Sequence, residues 1–221
     1  MKKNIAKVFL ASAFFVCVCI VATPAIIYLR QFTFNEDKAL AKWNKMILNG
    51  QVNYVLMKQG GNGFVEALSE KACSALYYRI GFKLKEYPVL SWKWKVLQFP
   101  DTSAAQSEDE KDDYAARVYV IFPFFSFSSS KFIEYVWSPD LPVGTVKTNP
   151  KAKNVKMIVA RSGRSYGGEW VSESRNVYDD YIKVFGAKPN RNVGAVAIMS
   201  DADQTKTVAE AAFDDIAIER K

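Results

Sequence analysis

Residues 112–123, with the sequence DDYAARVYVIFP, constrain the fold of this chain more than any other stretch. After the two acids, apolar residues occur in both of the alternating sets. One face would carry Tyr114, Ala116, Val118, Val120 and Phe122, and the other Ala115, Arg117, Tyr119 and Ile121. A period of two with aromatic and β-branched residues predicts a strand, and apolar residues on both faces predict a central one. Arg117 would then lie where an unpaired charge is costly.

Similar short segments recur between turn signals along most of the remaining chain. They are residues 52–58, 64–68, 75–85, 90–97, 132–138, 155–161, 169–175, 193–199 and 210–219. Residues 177–185 instead have apolar positions at helical spacing, between Asn176 and Gly186, which predicts a capped helix. Many short strands with one short helix predict an all-β, antiparallel, jelly-roll-like β-sandwich over residues 51–221.

The residues between this domain and the N-terminus form two further segments. Residues 8–29 contain no charged residue and would span about 33 Å as a helix, enough to cross a bilayer. Three lysines precede the stretch and Arg30 follows it, which favours an N-terminus that stays inside. We therefore expect residues 1–30 to be a transmembrane anchor or, alternatively, a cleaved signal peptide. Residues 31–50 predict a helical linker, since Leu40, Trp43 and Met46 share one helical face.

Composition and charge exclude several functional classes. The net charge is +7, but Lys2, Lys3 and Lys7 supply three of these charges, and no basic stripe with interleaved aromatic residues points to nucleic acid. The absence of histidine excludes Ser-His and Cys-His nucleophile pairs and metal sites that need histidine. Cys73 is the one cysteine outside the apolar N-terminal stretch, and we expect a free, buried thiol.

The motifs of the chain resemble domain-of-unknown-function family 3047, a group of bacterial, mostly exported proteins without an established activity. The resemblance covers approximately residues 52–221 and lies in six segments. They are residues 90–96 (LSWKWKV), 112–122 (DDYAARVYVIF), 135–137 (YVW), 141–144 (LPVG), 199–205 (MSDADQT) and 209–216 (AEAAFDDI). It implies a sandwich similar to lectin-like and carbohydrate-binding domains, and it implies no reaction, catalytic residue or cofactor. Sandwiches host unrelated functions, so the analogy concerns the fold alone.

Arg117 is the residue on which the prediction of a site depends. As the charge of a central strand, it needs carboxylates or carbonyl oxygens around it. The candidate partners, each at a strand end or in a loop beside one, are Asp112, Asp113, Asp201, Asp203 and Asp215. One interpretation is a buried structural ion pair. The other is that Arg117 forms the floor of a polar groove for a glycan, because aromatic rings and a few polar groups suit sugars. The predicted groove residues are Arg117, Tyr119, Tyr135, Trp137, Arg161, Asp201 and Asp203, and Trp92 and Trp94 are expected in the core.

Metal binding and catalysis have weaker signals. The candidate ligands of a structural calcium ion are Asp112, Asp113 and Asp215, but the regular acid spacing and the glycine of a calcium loop are missing, and no cofactor is expected. The Glu-x-Asp-x-x-Glu arrangement of sandwich glucanases is also missing. Three hypotheses follow. They are a non-catalytic, membrane-anchored module for an envelope glycan, facing the periplasm or, after signal cleavage, secreted there; a structural or interaction component of an envelope complex, with an exposed patch around Phe124–Phe127; and, least favoured, a glycoside hydrolase.

Overall fold

Two β-sheets packed face to face form the domain. The computed structural model describes residues 25–105, 107, 111–150, 152–164 and 168–220. The strands in that part of the chain are β1 (Tyr28–Phe32), β2 (Trp43–Asn49), β3 (Asn53–Gln59), β4 (Asn62–Glu70), β5 (Cys73–Phe82), β6 (Val89–Gln98), β7 (Arg117–Phe122), β8 (Lys131–Ser138), β9 (Val146–Thr148), β10 (Val155–Ser162), β11 (Val171–Asn176), β12 (Val193–Asp201) and β13 (Val208–Glu219). One sheet has the order β11-β6-β13-β4-β3, with β1 also on β13, and the other has the order β2-β5-β12-β7-β8-β10-β9. The predicted all-β sandwich is confirmed.

The predicted central strand is β7, which pairs with β12 on one side and β8 on the other. Val118, Val120 and Phe122 point into the core between the sheets. Arg117 and Tyr119 point to the opposite side, the outer face of the seven-stranded sheet. The two-residue period of the sequence therefore assigned the faces correctly. Strand β7 is shorter than the predicted segment, because residues 114–116 make no strand pairing of their own.

A ladder of four large aromatic side chains joins the two sheets. Trp92 and Trp94 of β6 meet Tyr135 and Trp137 of β8, with ring centroids 5.2 Å apart for Trp92 and Tyr135 and 5.8 Å apart for Trp94 and Trp137. All four are almost fully buried. Each buries a large apolar area, and tilted rings at these separations add a further small stabilisation. The prediction of Trp92 and Trp94 as core residues is confirmed.

The sequence pattern predicts a purely antiparallel sandwich, but the structure contains a parallel strand pair. Strand β10 pairs with β8 in parallel, and the short strand β9 lies antiparallel on the outer edge of β10. Residues 139–154 return the chain to the end where β8 starts, so β10 runs in the same direction as β8. Four consecutive residues of β10, Met157 to Ala160, are buried. Such burial on both faces is typical of parallel strands.

The predicted helical linker over residues 31–50 is wrong. Residues 36–42 form successive tight turns, and β2 then pairs with β5 at the edge of the seven-stranded sheet. Trp43 is buried against Phe32 and Phe34, whereas Met46 and Ile47 are exposed. The apolar positions fitted helical spacing, but pairing with the exposed edge of β5 supplies backbone hydrogen bonds that an isolated short helix would not match.

The predicted transmembrane stretch lies mostly outside the described residues. Its last two positions, Tyr28 and Leu29, belong to β1, which pairs with β13. Within residues 25–220, as far as they are described, no helix has the length and apolar character needed to cross a bilayer.

Local signals in the sequence correspond to local structure at two places. Helix α1 (Val177–Phe185) has Asn176 as its N-cap and Gly186, with φ 68°, as its C-cap, which confirms the predicted helix. Gly60 and Gly61 have φ of 60° and 85° and connect Gln59 to Asn62 in a two-residue hairpin. This turn needs positive φ at both central positions, which glycine adopts without steric cost.

The aromatic ladder predicts a large effect of truncation. Trp137→Ala should lower the free energy of unfolding by about 3–5 kcal/mol, because it leaves a cavity at the contact between the sheets. Urea unfolding monitored by circular dichroism measures the loss. Trp170→Ala, at a half-exposed tryptophan against Phe64, is the matched control and should cost about 1 kcal/mol or less. Equal losses would contradict the assignment of Trp137 to the core.

Candidate functional site

A cavity of about 350 Å³ lies on the outer face of the seven-stranded sheet. Alternating residues of β5, β12 and β7 form its floor, because side chains two apart share one face of a strand. Tyr77, Ala197 and Tyr119 form one row across these strands, and Ala75, Met199 and Arg117 form the next. The alanines leave space between larger neighbours, and both tyrosines are partly exposed. The rim residues are Met46, Leu48, Asn49, Asp112, Phe127, Phe132, Asn149, Ala152, Val155, Asp203 and Gln204.

Arg117 is buried at one end of this floor and is paired with two carboxylates. Its Nη1 donates to Glu134 Oε1 of β8, and its Nη2 donates to Asp201 Oδ2 of β12 at 2.7 Å. Nη2 also donates to the backbone carbonyl of Asp112, and the guanidinium lies 5.0 Å from the ring centroid of Tyr114. These partners offset the cost of removing the charge from water. The expectation of an enclosed, paired Arg117 is met.

Burial and neighbouring charges shift the pKa values of Arg117, Asp201 and Tyr119. Burial lowers the pKa of Arg117 itself, but the Glu134 carboxylate and other acids raise it, and the net direction is upward. Burial raises the pKa of Asp201 well above its usual range, although Arg117 opposes this shift. Burial and then the Glu134 carboxylate raise the pKa of the Tyr119 hydroxyl. The arginine thus stays charged, and the tyrosine stays neutral.

A second polar group lies at the same end of the cavity. Asn49 donates to Asp203 Oδ2 at 2.7 Å, and Gln204 donates to Asp203 Oδ1 at 2.8 Å. Asp203 N donates to Asp201 Oδ1 at 3.2 Å, which connects this group to the Arg117 network. The result is a fixed set of amides and carboxylates beside the apolar floor.

Cys73 lies beside these acids and is the free, buried thiol that the sequence predicted. Its sulfur and one oxygen each of Asp201 and Asp203 lie within 4.8 Å of one another. Both carboxylates already accept hydrogen bonds, from Arg117, Asn49 and Gln204. Burial raises the pKa of Cys73, and the Asp201 carboxylate adds to this shift, so the thiol stays protonated. Because Asp201 already pairs with the Arg117 guanidinium, these residues fit a hydrogen-bond network better than a metal centre.

The structure brings only part of the predicted groove together. Arg117, Tyr119, Asp201 and Asp203 all line the cavity. Tyr135 and Trp137 do not, since they point into the core on the opposite face of the sheet; the Tyr135 hydroxyl donates to Asp180 at 2.8 Å. The reason is register, because Tyr135 lies opposite Val118 and not opposite Arg117 or Tyr119. The prediction that Tyr135 and Trp137 line the groove is therefore wrong, and both side chains belong to the core.

The remaining predicted residues have other partners. Arg161 donates through Nε to Glu173 at 2.8 Å, away from the cavity. Asp113 accepts from the backbone of Gln204 and Thr205 and so fixes the loop between β12 and β13. Asp215 pairs with Lys93 at 2.8 Å on the six-stranded sheet. Asp112 is at the cavity rim, where Asn149 donates to it at 2.9 Å. Asp215 therefore lies apart from Asp112 and Asp113, and the three residues form no common ligand set.

Sequence reasoning missed Glu134 and Tyr77. A signal for Glu134 was present, because it is the one acidic residue within the predicted strand 132–138. Its Oε2 is buried and, among the described residues, accepts no hydrogen bond. Tyr77 offered no comparable signal, since its place beside Tyr119 arises from the pairing of β5 and β7 with the same strand, β12.

Comparison with known proteins identifies the family. The family described as "Protein of unknown function (DUF3047)" matches residues 41–217. The chain belongs to this family. Comparison with curated protein sequences gives no match.

Several solved structures are similar to this member of the DUF3047 family. The xyloglucanase domain of NopAA, a type three effector from Sinorhizobium fredii, has 14% identity over 81% of this chain and 93% of that chain, with a TM-score of 0.45. The family 30 carbohydrate-binding module of a cellulosomal cellulase of Clostridium thermocellum has 10% identity over 81% and 92%, with a TM-score of 0.47. The mannan-recognising module TmCBM27 has 9% identity over 90% and 99%, with a TM-score of 0.40. At these values the similarity carries no information about function.

The raised pKa of Asp201 predicts a pH dependence of stability. The folded state holds this proton more tightly than the unfolded chain does. The resulting stabilisation is therefore fully present below the unfolded pKa and is lost as the pH rises through the folded one. Asp201→Asn should remove this contribution, so the difference in unfolding free energy between wild type and variant should shift in favour of the variant as the pH rises from 4 to 8. Urea unfolding across that range provides the measurement. A difference that stays constant or shifts the other way would contradict the raised pKa.

Proposed function

We propose that this domain binds a glycan or polysaccharide of the bacterial cell envelope, without catalysing a reaction, and that residues 1–30 anchor it in the inner membrane with the domain in the periplasm. The observation that most strongly supports glycan binding is the cavity on the outer face of the seven-stranded sheet. Its volume of about 350 Å³ is in the range of ligand pockets. Tyr77 and Tyr119, on either side of Ala197, offer ring faces that could stack on the C–H faces of sugars.

The polar groups of the cavity suit hydroxyl-rich ligands. Asn49, Asn149 and Gln204 bring side-chain amides to the rim, and Asp203 brings a carboxylate. Amides both donate and accept, so they can match the donor and acceptor pattern of sugar hydroxyls. The Asn49 amide donates a hydrogen bond of 2.7 Å to Asp203 Oδ2, so both side chains are ordered before a ligand binds. This order lowers the entropic cost of binding.

The carboxylates near the cavity support binding over hydrolysis. Glycosidases need two carboxyl groups that reach the scissile bond from opposite sides. Glu134 and Asp201 come together in this structure, although no sequence spacing predicted it. Both, however, bind the same guanidinium, and their side chains are almost fully buried. A sugar on the cavity floor would meet the tyrosines before it reached either acid.

A role in an envelope protein complex is the second candidate. It is favoured by the loop between β7 and β8, where Phe124, Phe125 and Phe127 are all exposed. Exposed apolar patches mark contact surfaces. The cavity and this patch are compatible features of one domain.

The membrane anchor is supported by sequence and by the place where the fold begins. Residues 8–24 precede the described part of the chain and contain no charged residue, and 17 helical residues would span about 26 Å, at the short end of the range for transmembrane helices. The lysines before them favour an N-terminus in the cytoplasm, which would put the domain in the periplasm.

Glycan binding can be tested with the full chain in detergent, applied to a glycan array and to isolated cell-wall polymers. Tyr77→Ala should lower the affinity for a bound glycan by about tenfold, because it removes one ring from the floor. Tyr178→Ala, a similarly half-buried tyrosine on helix α1, is the matched control and should leave the affinity unchanged. Circular dichroism verifies that both variants fold. Binding to no glycan, or equal losses in both variants, would count against a glycan site in this cavity.

The anchor predicts the N-terminus of the mature protein. Mass spectrometry of the chain isolated from its native membrane should find residues 1–30 still attached. A new N-terminus between Ala22 and Arg30 would instead indicate a cleaved signal peptide and a secreted domain. Cleavage within residues 28–32 would remove part of β1.

A further inference from the structure

The chain enters the sandwich at one end, called here the β1 end, where strand termini of both sheets meet. In the six-stranded sheet, the start of β1, the end of β13, the start of β6 and the end of β11 lie side by side. In the other sheet, the end of β5, the start of β12, the end of β7 and the start of β8 do the same. The connection from β5 to β6 spans only residues 83–88, so both groups lie at the same end.

The loop between β7 and β8 projects three phenylalanine side chains at the β1 end. Phe125 is 92% exposed, Phe127 53% and Phe124 46%. The loop is internally braced, since Ser130 N donates to the carbonyl of Ser126 at 3.0 Å and Ser130 Oγ accepts from Phe124 N at 2.9 Å. A loop that holds a phenylalanine almost fully in water is poorly explained by the stability of the domain alone.

Two neighbouring loops hold the phenylalanine loop in place. Arg191 donates to the carbonyl of Ser129 at 3.0 Å, and its guanidinium lies 3.3 Å from the ring centroid of Phe124. Asn154 donates to the carbonyls of Phe127 and Ser130. The aromatic side chains are therefore presented on a fixed surface and not on a loose tether.

The β1 end also carries positive charge. The basic residues on its connecting loops and chain ends are Lys83, Lys85, Lys153, Lys188, Arg191 and Arg220. The exposed acids at and near this end include Glu86, which pairs with Lys83 at 3.2 Å, and Asp179 in the first turn of α1, together with Glu36 and Asp37 in the turns before β2. Aromatic residues among an excess of lysine and arginine are the composition of surfaces that lie on anionic lipid.

The N-terminal segment limits how far this end can be from a membrane. Residues 8–27 are the uncharged stretch of the proposed anchor, and β1 starts at Tyr28. The carbonyl of Ile27 already accepts from Arg220 N at 2.9 Å. Ile27, at the C-terminal side of that uncharged stretch, is therefore held at the β1 end of the domain.

We propose that the β1 end of the domain lies on the surface of an anionic phospholipid bilayer. Phe124, Phe125 and Phe127 enter the boundary between headgroups and acyl chains, and the basic side chains contact lipid phosphates. This inference rests on the anchor proposed above and goes beyond it, because an anchor alone does not orient a domain. Phe127 is also a rim residue of the cavity, so docking places that part of the rim at the membrane.

The test uses the full chain in nanodiscs, followed by hydrogen–deuterium exchange and mass spectrometry. One set of discs contains phosphatidylcholine alone and the other contains about 30% phosphatidylglycerol. Exchange in residues 124–130 should slow several-fold in the anionic discs relative to the neutral ones. Residues 101–105, at the opposite end of the sandwich, should exchange at the same rate in both.

Two variants give the control. Phe125→Ser should abolish the difference between the two kinds of disc, because it removes the most exposed apolar side chain of the loop. Val143→Ser, also at an exposed apolar residue but outside the β1 end, should retain the difference. Each variant is compared with itself in the two lipids, so its intrinsic exchange rate cancels.

The outcomes separate the two proposals. Incorporation into the discs without slowing in residues 124–130 overturns the docking and leaves the anchor intact. Failure of the chain to enter the discs contradicts the anchor and overturns the docking with it. Slowing that requires an added envelope protein, and not anionic lipid, would identify the phenylalanine loop as a protein contact and also overturn the inference.

Discussion

The charge of Arg117 is the constraint around which the outer face of the seven-stranded sheet is organised. A guanidinium in the middle of a central strand requires compensation, and β8 and β12, the two neighbours of β7, each supply a carboxylate, Glu134 and Asp201. The same interaction fixes the orientation of the Asp201 side chain. Its Oδ1 accepts a hydrogen bond from the backbone N–H of Asp203, and this contact orders the polar end of the cavity. A structural ion pair and a candidate ligand site are therefore parts of one network, and the two interpretations of Arg117 do not exclude each other.

Much of the fold followed from periodicity, because the alternation in β7 and the caps of α1 are local signals. The residues of the candidate site could be predicted from the sequence only in part. The residues of β8 alternate between two faces, as those of β7 do. Whether Tyr135 and Trp137 point to the core or to the outer face depends on the register of β8 against β7, which no residue of β8 specifies by itself. The same limit explains the wrong helix at residues 31–50, where pairing with β5 overrode a helical pattern, and the parallel pairing of β10, which depends on the path of residues 139–154.

Two surfaces of the domain have distinct chemistry. The cavity combines ring faces with ordered amides, which suits a neutral, hydroxyl-rich ligand. The β1 end combines exposed phenylalanines with lysines and arginines, which suits an anionic interface. Phe127 belongs to both, since it lines the cavity and extends from the loop between β7 and β8. If the β1 end docks on a bilayer as proposed, a ligand held in the cavity would lie close to the membrane.

The central claim is that the outer face of the seven-stranded sheet binds a glycan, and NMR titration of the full chain with soluble cell-wall oligosaccharides tests it most directly. The account predicts that the chemical shifts of Tyr77, Tyr119 and Asn49 change with ligand concentration, while those of Trp92 and Trp94 in the core stay constant. Shift changes confined to the six-stranded sheet, or no saturable change with any oligosaccharide, would contradict the claim.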